Sequence, residues 1–112
     1  MKKTAKQYYS SRQGNCAQAV AEAWHLNTGL GAGLKEQFSG CGGGRAPGGL
    51  CGALHAALHV IGDADRGNAR SEFTELSGGY VKCRDIRGAG KLSCTGCVEA
   101  AAELADRYGT SS

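Results

Sequence analysis

Apolar residues in this chain recur every three or four positions, the period of helices, and no stretch alternates in the two-residue period of a strand. The first predicted helix runs from Thr4, a capping residue, to Arg12, with Gly14 to end it. The second opens at Asn15. Asn15 and Gln18 have the spacing of a capping box, and Cys16, Val20, Ala23 and Trp24 then share one face. TGLGAG at 28–33 is a break, followed by a short helix over Leu34 to Phe38. A third long helix carries Leu50, Leu54, Leu58 and Ile61 at helical spacing, with Gly62 and DADRGN as its end. Residues 69–77 read as helical up to Gly78-Gly79. A shorter helix starts near Tyr80 and passes Cys83 and Ile86 to Gly88. The last starts near Thr95, with Cys97, Ala101, Leu104 and Tyr108 on one face. The expected fold is all-α: a compact bundle of about five short helices with a glycine-rich loop, one domain over residues 1–112.

That loop, GCGGGRAPGGLCG at 40–52, has glycine at seven of thirteen positions. Glycine loses more conformational freedom on folding than other residues, so the run needs a reason. Two readings stand: tight packing around a bent connection, or backbone N–H groups brought close to an anionic centre. A phosphate loop is disfavoured because no GK[ST] follows.

The net charge of +3 is spread along the chain, which argues against nucleic-acid binding. The N-terminal MKKTAKQYYSSRQGNC has lysines but no apolar segment of a signal peptide, and no apolar run reaches membrane-spanning length. The chain is therefore expected in the cytoplasm, with no membrane partner. In a reducing compartment, six cysteines point to metal binding or redox chemistry rather than structural disulfides.

Cys16, Cys51, Cys83 and Cys97 each fall at or near a predicted helix start. There the helix dipole and unpaired N–H groups favour the thiolate, the reactive and metal-binding form. Four such starts can face one centre. CTGC at 94–97 is a C-x-x-C pair, which suits a dithiol, half of a zinc site or part of a cluster site. Val98 follows it, so covalent haem attachment is not indicated. Cys51, His55 and His59 are spaced by four along one helix stripe. That stripe suits a metal or haem iron, although half-buried or surface histidines without a ligand are the commoner case. His25 lies elsewhere, after Trp24.

GNCAQAV around Cys16, CGALHA from Cys51, KCRDI around Cys83 and GCVEA around Cys97 together resemble the family of redox-active proteins named for its C_GCAxxG_C_C cysteine pattern. The resemblance spans residues 8–105. The chain departs from it at Ala56, where the pattern has glycine, and Cys41 and Cys94 lie outside the four-cysteine pattern. Related domains occur in haem proteins that also hold an iron–sulfur centre. The resemblance thus implies cluster binding, [2Fe–2S] or [4Fe–4S], with Cys16, Cys51, Cys83 and Cys97 as ligands. Cys41 and Cys94 would then be accessory or alternate ligands.

The leading expectation is a small electron-transfer or redox-sensing protein. Its partner is another redox protein, and a cluster shared across a homodimer is compatible with the pattern. KCRDIRGAGK, with four basic residues and one acid, reads either as a docking patch for an acidic partner or as a solvated helix face. The alternatives are a thiol–disulfide protein using CTGC and a zinc-stabilised interaction module.

Overall fold

Alanine decides how closely the helices of this chain approach. The computed structural model describes residues 2–29, 33–40, 49–61, 63–90 and 92–108. Helices cover most of them: α1 Lys2–Ser10, α2 Cys16–Thr28, α3 Leu34–Gln37, α4 Gly52–Val60, α5 Asp63–Ser77, α6 Cys83–Ala89 and α7 Cys94–Tyr108. The described residues form no sheet, only an antiparallel bridge between Leu50 and Lys82. An all-helical bundle is what the periodicity predicted.

Helices α2, α4 and α7 pack on one another and form the centre. Their contact surfaces are built from small residues: Ala17, Ala19 and Ala23 on α2, Ala53, Ala56 and Ala57 on α4, and Ala101, Ala102 and Ala105 on α7 are all buried. A methyl side chain adds little to the helix radius, so the axes can lie at the short end of the usual packing distance. Larger side chains fill between them, chiefly Val20, Leu54, Val98 and Leu104, with Trp24 closing the cluster. Helix α1 lies against α2 and α7, α5 against α7 and α4, and α3 against α2. No helix among the described residues is long and apolar enough to cross a membrane.

The capping box read from the sequence forms. Asn15 Oδ1 accepts from the Gln18 N–H at 2.8 Å, and Gln18 Oε1 accepts from the Asn15 N–H at 3.0 Å. Asn15 Nδ2 also donates to the carbonyls of Phe38 and Ser39, both at 3.0 Å. The start of α2 thereby holds the end of α3. At the other end of α2, Gly29 adopts φ 75° and its N–H donates to the His25 carbonyl at 2.8 Å, a left-handed cap that suits glycine.

Several boundaries differ from expectation, each for a physical reason. Helix α1 stops at Ser10 because Arg12 turns to φ 57° and leads the chain into α2. DADRGN does not end a helix; it is the first part of α5. Asp65 favours a helix start, and burial of Ala69 and Phe73 outweighs the poor propensities of Gly67 and Asn68. Helix α6 begins at Cys83 rather than near Tyr80, because Val81 and Lys82 pair in extended form with Leu50 and Cys51. Helix α7 begins at Cys94, where the Ser93 hydroxyl accepts from the Gly96 N–H at 3.0 Å.

Candidate functional site

Helices α2, α4 and α7 pack on one another, and the start of each carries cysteine. Cys16 is the first residue of α2 and is half-buried. Cys51 is the residue before α4 and is 3% exposed. Cys94 is the first residue of α7 and half-buried, while Cys97, one turn further, is 4% exposed.

The backbone of Cys51 is committed locally. Its N–H donates to the Val81 carbonyl at 2.8 Å and its carbonyl accepts from the His55 N–H at 2.9 Å. Its side chain makes no capping bond to α4; instead the Cys51 and Cys97 side chains are hydrogen-bonded across α4 and α7. Cys97 feels all three neighbours. The hydrogen bond with Cys51 pushes its thiol well above the ordinary cysteine range, burial adds to this, and the charges of Cys51, Cys94 and Cys16 follow in that order. These four sulfurs form one electrostatic cluster, in which ionising one opposes ionising the next. A cation placed among them would reverse that balance, since bound metal favours the thiolate. Among the described residues, no three His, Cys, Asp or Glu side chains are gathered as a ready-made single-ion site.

Two glycines leave room at the starts of α2 and α7. A Cβ at Gly14 would stand 2.7 Å from Gln18 Oε1 and 2.8 Å from the Tyr8 hydroxyl, inside the capping box that starts α2. A Cβ at Gly96 would stand 2.9 Å from Leu92 Cδ1, a flexible neighbour that can yield.

Of the cysteines read from sequence, Cys51 and Cys97 are in hydrogen-bond contact, and Cys16 lies within electrostatic reach of Cys97. Cys83 is the first residue of α6, at a helix start as expected, and its side chain is outside the described residues. Cys41 and glycines 42–44 and 48 also lie outside them, and with them the question of what the loop wraps. Cys94, read as accessory, stands in the first turn of α7 within electrostatic reach of Cys97. The signal for it was Ser93 followed three residues later by Gly96: a hydroxyl cap that moves the helix start back onto Cys94.

His55 and His59 serve packing. Both rings stand edge-on to buried Phe38, with centroids 5.4 Å and 5.3 Å away. Burial, and then the charge of His59, hold the His55 imidazole below its ordinary range. Comparison of the chain with family models, curated proteins and solved structures finds no match.

Proposed function

We propose that this chain is a small redox protein whose cysteine cluster holds an iron–sulfur centre for electron transfer or redox sensing, as its resemblance to the C_GCAxxG_C_C family implies. The single observation supporting this is the electrostatic coupling of Cys97 to Cys16, Cys51 and Cys94, four thiols drawn from three helix starts. Four cysteine thiolates are the usual ligand set of such centres. Cys16, Cys51 and Cys97 would hold it, as the resemblance implies; for the fourth ligand, where the resemblance has Cys83, we propose Cys94, which lies within electrostatic reach of Cys97. The centre supplies one-electron chemistry. The chain supplies burial at Cys51 and Cys97 and helix-start N–H groups near the sulfurs, both of which tune potential.

A zinc module is less well supported. Cysteine zinc sites commonly draw on two short-spaced pairs, and this chain has one, Cys94 with Cys97. The partner is a redox protein with acidic surface. Lys82 and Arg84 are exposed beside the Leu50–Lys82 bridge, one residue from Cys51. Purification without oxygen, followed by iron, sulfide and zinc determination and a visible spectrum, tests the reading. Iron with matching acid-labile sulfide is expected; zinc alone, or a metal-free protein after anaerobic reconstitution, overturns it.

A further inference from the structure

The four thiols are not equivalent, and the differences among Cys94, Cys97 and Cys51 order these three as a relay. Cys94 is half-exposed at the first position of α7. Cys97, one turn along the same helix, is buried, and its hydrogen-bond partner is Cys51 on the far side of the α4–α7 contact. We propose that the metal-free chain is oxidised to a buried Cys51–Cys97 disulfide joining α4 to α7, and that Cys94 is the entry point for a low-molecular-weight disulfide that loads it.

The steps balance as thiol–disulfide exchange. The Cys94 thiolate attacks one sulfur of the small disulfide, breaking its S–S bond; a mixed disulfide forms on Cys94 and one small thiolate leaves and takes up a proton. Cys97 gives up its proton and attacks the Cys94 sulfur, forming a Cys94–Cys97 disulfide and expelling the second small thiol. Cys51 gives up its proton and attacks the Cys97 sulfur, and Cys94 leaves as a thiolate. In sum, two protein thiols are oxidised to one disulfide and the small disulfide is reduced to two thiols, so no other oxidant is needed.

Two arguments place the end point at Cys51–Cys97 rather than at CTGC. Exposed disulfides are the labile ones, and Cys94 is the more exposed of the candidates. A Cys51–Cys97 link also closes a far longer loop than Cys94–Cys97 and restricts the unfolded chain more. The inference concerns the metal-free protein and does not rest on the iron–sulfur reading.

The test uses reduced, metal-free full-length protein treated with oxidised glutathione, alkylated at intervals and digested with trypsin. Cys51 lies alone in peptide 46–66, and Cys94 and Cys97 share peptide 92–107. The expected product is a cross-link between these peptides with the alkyl group on Cys94. Cys94→Ser should give the same cross-link at least tenfold more slowly, and Cys51→Ala should stop at the loop within 92–107. Alkylation of all six cysteines, or a final product confined to 92–107 in the unaltered chain, overturns the disulfide. An unchanged rate in Cys94→Ser overturns the entry role. Circular dichroism of each variant, matched to the unaltered chain, shows that the comparison is between folded proteins.

Discussion

The amide of Cys51 donates to the carbonyl of Val81 at 2.8 Å, and this bond sets the residue before α4 beside the segment that leads into α6. The Leu50–Lys82 bridge continues the pairing, so the backbone of Cys83 follows one residue beyond it. Cys83 and Cys94 are therefore both candidates for the fourth place in the proposed ligand set.

Single serine substitutions separate them. Under the proposed ligand set, Cys94→Ser, like Cys16→Ser, Cys51→Ser and Cys97→Ser, loses most of the iron and visible absorption. Cys83→Ser keeps both. Iron retained in Cys94→Ser and lost in Cys83→Ser would reassign the fourth ligand to Cys83.

Alkylation of the metal-free, reduced protein should distinguish the sulfurs before any mutation is made. Cys97 is buried and its thiol is pushed up, first by the hydrogen bond with Cys51. Since the thiolate is the nucleophile, Cys97 should react with iodoacetamide at least tenfold more slowly than Cys94 at pH 8. Mass spectrometry of peptide 92–107 reads both sites at once, and equal rates would contradict the buried cluster.

Acid should destabilise the fold through His55. Its pKa is lowered in the folded chain, so the unfolded chain binds a proton first as pH falls below the ordinary value of 6.5. Stability contributed by neutral His55 is full above that value, is lost as pH falls towards the folded pKa, and levels off below it. Urea midpoints measured from pH 7.5 to 5 should fall, and His55→Gln should flatten the slope.

Asn15→Ala should cost about 1–2 kcal/mol, the upper part of the range for a lost helix cap. The side chain serves α2 and also holds the Phe38 and Ser39 carbonyls. Denaturant unfolding checks the magnitude; a loss no larger than that of an exposed surface substitution would mean that the α3 contacts contribute nothing.

Ala56 stands where the resembled pattern has glycine, and it is fully buried within α4. Ala56→Gly should therefore destabilise by about 1 kcal/mol through helix propensity alone, with some further loss from the missing methyl. An unchanged or raised unfolding midpoint would show that the position favours glycine here too.

Local signals in the sequence were enough to determine the helical class, the Asn15–Gln18 capping box and the placing of cysteines at helix starts. Each depends on residues within one or two turns, where spacing and side-chain hydrogen bonding act directly. What only the tertiary structure decided was the content of the site. Asp63–Ser77 became one helix because Ala69 and Phe73 found a buried surface, against the reading of DADRGN as a break. Cys94, like Cys16 and Cys51, came within electrostatic reach of Cys97 because α2, α4 and α7 pack on one another. Extended pairing with Leu50 and Cys51 delayed α6 until Cys83. These outcomes turn on contacts between residues far apart in the chain, and local periodicity carries no information about which distant partner a side chain will meet.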